Sequence, residues 1–261
     1  GDVGQGTELD GLEEKAIKTG ASKLYVEDLI DEMVDDVVIP SMMMGAKYED
    51  YLLGTAFARP VIGKKLAEIA LAEGADAICH GCTGKGNDQV RFDMTFMVMA
   101  PGVEIITLTR DRNLSRQEEV DYLNQHGFKA DFTKLKYSYN VGIWGTSICG
   151  GELLDSAQGL PEEAYLKHVT SQEESELRIE FKKGEIVAVN GEKYDDKVKA
   201  IQKIEEIGAA YGIGRDCNVG DTIIGIKGRV GFEAAAPKLI IEAHRMLEKY
   251  TLSKWQQYWK D

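Results

Sequence analysis

The sequence has little of what a secreted, metal-bound or nucleic-acid-binding protein needs. Four cysteines in 261 residues (Cys79, Cys82, Cys149 and Cys217) are too few and too scattered for a disulfide framework. Cys79 and Cys82 spell Cys-x-x-Cys, but no second pair lies at zinc-binding spacing, so buried or half-buried thiols are expected rather than a redox or metal centre. His80, His126, His168 and His244 show no ligand spacing, and no metal site is expected on the chain itself. Basic residues are outnumbered 31 to 44, for a formal charge of -13, which argues against a nucleic-acid groove. No apolar run approaches the roughly 18 residues of a membrane span, and no signal-peptide pattern opens the chain. The expectation is a cytoplasmic protein that handles small molecules, with neither nucleic acid nor membrane as a partner.

What is present is organised around residues 78–93, ICHGCTGKGNDQVRFD. An apolar run leads into three glycines, Gly81, Gly84 and Gly86, and then into a helical pattern. A strand feeding a glycine-rich turn and a helix N-terminus offers backbone N–H groups to an anion. The same pattern also suits a plain tight connection. Thr83, Lys85, Asn87, Asp88 and Arg91 weigh toward a ligand, since one loop and one helical turn then carry a hydroxyl, an amide, a carboxylate and two cations. Arg91 suits a bidentate clamp on carboxylate or phosphate, whereas Asn87 and Asp88 could equally be helix caps. The glycine spacing is not that of a P-loop, because Gly86 follows Lys85 where a Lys-Ser/Thr pair is required.

Periodicity places helices at 9–18, 28–38 (ended by Pro40) and 55–72 (with Pro60 in its first turn), and strands at 23–26, 75–78 and 103–108. A helix at 89–100 follows the central loop, and Ser115 with Glu118 forms a capping box before a helix ending near Gly127. This alternation predicts a mostly parallel sheet with helices on both faces, its ligand beyond the strands' carboxyl ends. Residues 131–175 read as irregular. A hairpin follows over 176–189 about Lys183-Gly184, then a helix at 195–211, a strand at 222–226 and a helix at 237–251. Loss of alternation suggests a second, α+β domain, dividing the chain into 1–129 and 130–261. Trp255, Tyr258 and Trp259 either dock on the body or wait for another subunit.

Three stretches resemble the argininosuccinate synthase family: HGCTGKGNDQVRF at 80–92, YLLGTAFARP at 51–60 and DVGQG at 2–6. The likeness extends through GASKLYVEDL, residues 145–151 and Gly214-Arg215. It implies a nucleotide-binding domain of the ATP-pyrophosphatase (adenine nucleotide alpha hydrolase-like) type with a parallel sheet, followed by an α+β synthetase domain, in a homo-oligomer. It implies ATP, with Mg2+ carried on the phosphates, and condensation of citrulline with aspartate. By the same likeness Gly4, Gln5, Gly6, Gly81, Thr83, Gly84, Lys85 and Gly86 would border ATP. Thr83, Asn87 and Asp88 would hold aspartate, and Tyr51, Thr55, Asn87, Arg91, Ser138 and Ser147 citrulline, with Asp88 and Arg91 nearest the chemistry. Two departures are expected to matter. The family's Ser-Gly-Gly-x-Asp pyrophosphate loop and its C-terminal extension are not found before Gly1 or after Asp261. Gly220 and Phe232 stand where the family has glutamate and tyrosine, which suggests a diverged acceptor pocket or a different acceptor, while the missing pyrophosphate loop would suit a non-catalytic member.

Overall fold

The structure, a computed structural model, describes residues 1–128 and 136–260; the expected boundary between 129 and 130 lies outside the described residues. The first half runs α1 (Leu12–Lys18), α2 (Ile30–Met33), α3 (Ile39–Met44), α4 (Gly54–Glu73), β1 (Ala77–Cys79), α5 (Asp88–Met99), β2 (Glu104–Ile106), α6 (Leu108–Asp111) and α7 (Arg116–Gln125). β1 and β2 pair in parallel, Ile78 opposite Ile105. A parallel bridge joins Asp2 to Asp28. The expected strand at 23–26 is absent, and the chain there forms no regular element before that bridge. A short run with a single apolar alternation stays a strand only if a neighbour supplies the ladder.

Two prolines behave differently from expectation. The helix does not stop before Pro40: α2 passes through a π-helical segment, Val34–Val38, and continues as α3. A widened turn before the proline accommodates both its ring and its missing N–H. Pro60 sits inside α4 rather than in its first turn, because the helix starts at Gly54. The capping box at Ser115 and Glu118 is present, with both reciprocal bonds.

The second half is α+β. β3 (Tyr137–Asn140), β4 (Thr146–Gly150), β8 (Arg215–Asp221) and β9 (Lys227–Glu233) form an antiparallel sheet in the order β3-β4-β9-β8. β5 (Ile179–Lys182), β6 (Glu185–Val189) and β7 (Glu192–Lys193) form a second antiparallel sheet, covered by α8 (Lys197–Ala209) and α9 (Ala235–Thr251), with α10 (Lys254–Lys260) closing the chain. The β5–β6 turn places Lys183 and Gly184 at φ 54° and 88°, the geometry that matches strand twist in a two-residue hairpin. Of the stretch 131–175 expected to be irregular, the described part, 136–175, is less so, since β3 and β4 lie within it. Their polar faces hid them from an apolar-alternation test.

Residues 222–226 are not a strand but the tip joining β8 to β9, with Gly225 at φ 80°. Ile223, Ile224 and Ile226 are exposed there. The β-branched run carried the wrong signal: the strands lie on either side of it.

One large core serves both halves. Leu29, Met33, Val34, Met42 and Val61 from the first half belong to the same cluster as Trp144, Ile186, Ile201, Ile204, Phe232 and Ile240 from the second. Each fully buried side chain of this size contributes about 1.5–3 kcal/mol. A smaller cluster, including Ala67, Ile78 and Phe96, sits between α4, α5 and β1. At the α4–α5 crossing a Cβ on Gly63 would lie 3.2 Å from Thr95 Cγ2, so the glycine sets how closely the helices approach. The glycine loop is thereby held at the carboxyl end of β1, facing the first sheet of the second half.

Candidate active site

Between the halves lies a cavity of about 890 Å³. Its floor is the glycine loop and the start of α5 (Gly81, Thr83, Gly86, Asn87, Asp88, Arg91), and its far wall is the β3-β4-β9-β8 sheet. Tyr51, Thr55 and Ser147 also line it. Nine of the residues singled out from sequence therefore share one space, although they come from separate stretches of chain.

Asp88 is the hub. Its Oδ1 accepts from Arg91 Nη1 at 2.6 Å, and its Oδ2 from Arg59 Nε at 2.9 Å. Arg59 Nη2 donates at 2.6 Å to Asn140 Oδ1 on β3, and Asn140 Nδ2 donates at 3.2 Å to Ser147 Oγ on β4. Ser147 Oγ lies 3.1 Å from Thr55 Oγ1. These contacts form a polar chain running from the helix start, across α4, to the facing sheet. The ion pairs are only partly buried, so their worth is orientation more than stability.

Asn87 occupies the N-cap position of α5 without making a side-chain cap. Its Oδ1 instead accepts the Ile223 N–H at 2.8 Å, from the β8–β9 tip. Tyr51 precedes α4 rather than lying on it. It bridges to Tyr48, its ring meets Phe232 edge-on at 5.9 Å, and Leu53 at φ 63° turns the chain into the helix. Tyr51 and Thr55 thus reach the cavity together, although not as two positions of one helical face.

Other expected residues stand apart. Ser138 shares a sheet face with Asn140, Ser147 and Cys149, pairing with Cys149, but it is exposed and is not part of the cavity lining. Gly4, Gln5 and Gly6 also lie outside the lining. A Cβ on Gly4 would come within 2.8 Å of Ile143 N, and the Gln5 amide is spent on Val3 N–H and the Gly1 carbonyl. Gly84 packs under Arg110, and exposed Lys85 makes no hydrogen bond or ion pair with the described residues. Arg59 and Asn140 went unnoticed in the sequence, because each gains meaning only from the other, 81 positions away.

A second polar network lies beneath the loop. His80 Nδ1 accepts the Cys82 N–H at 3.3 Å, leaving Nε2 to donate to Asp93 Oδ1 at 2.8 Å. Asp93 Oδ2 accepts from Arg110 Nη1 at 2.6 Å. Burial pushes the Asp93 carboxyl upward, but Arg110 and His80 outweigh it and hold the group below its ordinary value. Burial raises the thiols of Cys82 and Cys149 on the cavity wall, which leaves them poor nucleophiles at neutral pH. No disulfide joins the four cysteines, all of which are free.

A parallel α/β half whose glycine loop opens on a cavity, closed by an α+β half that supplies the facing polar wall, defines an α/β protein of two parts with its candidate site where they meet. Comparison with known proteins narrows the class. The model of the arginosuccinate synthase N-terminal HUP domain matches residues 1–129, and that of the arginosuccinate synthase C-terminal domain matches residues 137–261. Argininosuccinate synthase of Methanocaldococcus jannaschii is 42% identical over 264 residues, covering 100% of this chain and 67% of its own length. Those of Carboxydothermus hydrogenoformans and Clostridium botulinum are 44% and 43% identical, covering 99% and 100% of this chain and 66% of their own lengths. The chain belongs to the argininosuccinate synthase family, and it spans about two thirds of the length of these relatives.

These matches correct one expectation. The chain was expected to lack family segments at both ends and to carry a diverged acceptor pocket. Both family domains are present, matched from residue 1 to 129 and from 137 to 261, and the second match runs through Gly220 and Phe232. Two substitutions in a hairpin weigh little against likeness along the whole chain. Among the described residues no helix is long and apolar enough to cross a membrane.

Proposed function

We propose that this protein condenses citrulline with aspartate, at the expense of ATP, to argininosuccinate, AMP and pyrophosphate. The observation that carries the reading is the Arg59–Asp88–Arg91 cluster facing Asn140, Thr55 and Ser147 across one cavity. In this reaction the ureido oxygen attacks the α-phosphorus and pyrophosphate leaves. The aspartate amine then attacks the ureido carbon, and AMP departs with the oxygen. Both nucleophiles come from the substrates, so the protein's task is positioning and charge stabilisation.

Thr83, Asn87 and Asp88 are assigned to aspartate, Asp88 accepting from its amine while two guanidiniums hold the carboxylate in place. Tyr51, Thr55, Asn87, Arg91 and Ser147 are assigned to citrulline, with Ser138 behind them on the same sheet face. The nucleotide falls to Gly81, Thr83, Gly84, Lys85 and Gly86, and to Gly4, Gln5 and Gly6 at the neighbouring turn. The backbone N–H groups of the loop and exposed Lys85 suit an anionic ligand. Magnesium would be carried on the phosphate oxygens. The reading further takes 1–129 as the nucleotide-binding domain and 130–261 as the synthetase domain, of a cytoplasmic homo-oligomer.

The test is to incubate the full-length gene product with ATP and aspartate and measure pyrophosphate with and without citrulline. Pyrophosphate release that depends on citrulline, with argininosuccinate detected by mass, supports the reading. Absence of product under saturating substrates sinks it.

A further inference from the structure

The polar chain that crosses the cavity has a direction, and its hydrogens determine what the far end reads. A guanidinium only donates, so the 2.6 Å contact from Arg59 Nη2 fixes Oδ1 as the end of the Asn140 amide that faces α4. Asn140 Nδ2 is left to donate to Ser147 Oγ at 3.2 Å. Ser147 Oγ and Thr55 Oγ1, 3.1 Å apart, share a hydrogen bond of their own. Two hydroxyls carry two hydrogens, and this pair uses one of them between its members. Asn140 takes neither, because toward Ser147 it is itself the donor. One hydroxyl hydrogen is therefore left over, whichever member of the pair donates to the other. Both residues line the cavity, and neither hydroxyl makes a further hydrogen bond with the described residues. Ser147 is 6% exposed, so little solvent competes for that hydrogen.

We propose that Asn140 is a positioning residue that sets specificity: by donating to Ser147 it keeps the Ser147–Thr55 pair a hydrogen-bond donor, which selects an acceptor oxygen on the substrate. This rests on the functional reading above, in which both hydroxyls are assigned to citrulline, whose carboxylate and ureido group each carry such an oxygen. The Arg59 charge on Oδ1 polarises the amide and strengthens its other hydrogen bond. Arg59 is held in turn by Asp88, which also engages Arg91, so the amide cannot turn over without breaking a charge-assisted contact. A carboxylate at position 140 would still accept from Arg59, but it would accept from Ser147 as well. Both hydroxyl hydrogens would then be taken, and the pair would show the substrate lone pairs alone.

The measurement is a double-mutant cycle on the full-length protein: steady-state kinetics and thermal melts of wild type, Asn140→Asp, Ser147→Ala and the two combined. Asn140→Asp is expected to raise the KM for citrulline about tenfold to a hundredfold, with the KM for ATP and the melting temperature near wild type. Ser147→Ala removes the link, so adding Asn140→Asp to it should raise the citrulline KM by no more than about twofold. An unchanged citrulline KM in Asn140→Asp, or the same fold-change whether position 147 is serine or alanine, overturns the inference. If Asn140→Asp does not melt cooperatively, Asn140→Leu, which also lacks the donor, takes its place in the cycle under the same criterion of dependence on Ser147. A wild type without citrulline-dependent turnover defeats the functional reading and this inference with it, whereas failure in the cycle alone defeats only the inference.

Discussion

At the scale of single residues, Asp88 carries the most consequence. It lies between two guanidiniums, and replacing it leaves both half-buried cations without their shared anchor. Truncating such a partner costs about 2–5 kcal/mol where the charges are desolvated. Asp88→Asn should raise the KM for aspartate at least about tenfold while the circular dichroism stays native; unchanged aspartate kinetics would show that the carboxylate does not face that substrate. Elsewhere, His244 is buried against Glu248 and Phe181, with Lys260 of α10 on the same glutamate. Burial lowers its pKa despite the neighbouring carboxylate. The unfolded chain then takes up the proton more readily, so stability present above about pH 6.5 declines as pH falls through the lower, folded value. Urea midpoints for wild type and His244→Gln should converge in that window if the histidine is the cause.

At the scale of elements, hairpins and strand ends position the site. The β8–β9 tip reaches across to Asn87 through the Ile223 N–H. Ile223→Pro removes that donor from an exposed position, and kcat/KM should fall about fivefold to tenfold with little change in melting temperature; equal kinetics would mean that the contact orients nothing. Gly214 opens β8 at φ 77°, and a Cβ there would lie 2.3 Å from the Ala234 carbonyl oxygen. The clash is with backbone and cannot be relieved by a rotamer. Gly214→Ala should cost about 3 kcal/mol or more, measured as a lowered urea midpoint.

Some elements are legible in the sequence and others are not. The helix at 88–99, its loop and the Ser115 capping box were legible because their signals are local: periodicity, glycine and a three-residue spacing. The 222–226 run was misread because β-branched residues mark strands only on average. Its flanks, rich in glycine and polar residues, became the strands by pairing with each other and with β4. Pro40 and Pro60 misled for a similar reason, as packing on both sides retains a helix that its isolated sequence would break.

At the scale of the whole molecule, two family domains share one continuous core. A boundary in sequence is therefore not a boundary in stability, and residues 1–261 should unfold in a single calorimetric transition rather than two. Two resolved transitions, each with its own heat, would show that the joint between the halves contributes little.

The sequence alone established the chemistry on offer: an anion-binding loop, a hydroxyl and guanidinium set, an acidic and cysteine-poor chain, and a family likeness strong enough to name the reaction. Those properties reside in residue type and in spacings of a few positions, which no folding is needed to express. Arg59 meeting Asn140, Ile223 meeting Asn87, and Thr55 meeting Ser147 were decided in three dimensions. Each depends on distance and direction between groups, up to 136 positions apart in the case of Asn87 and Ile223, and only the packed core brings such groups within a hydrogen bond of one another.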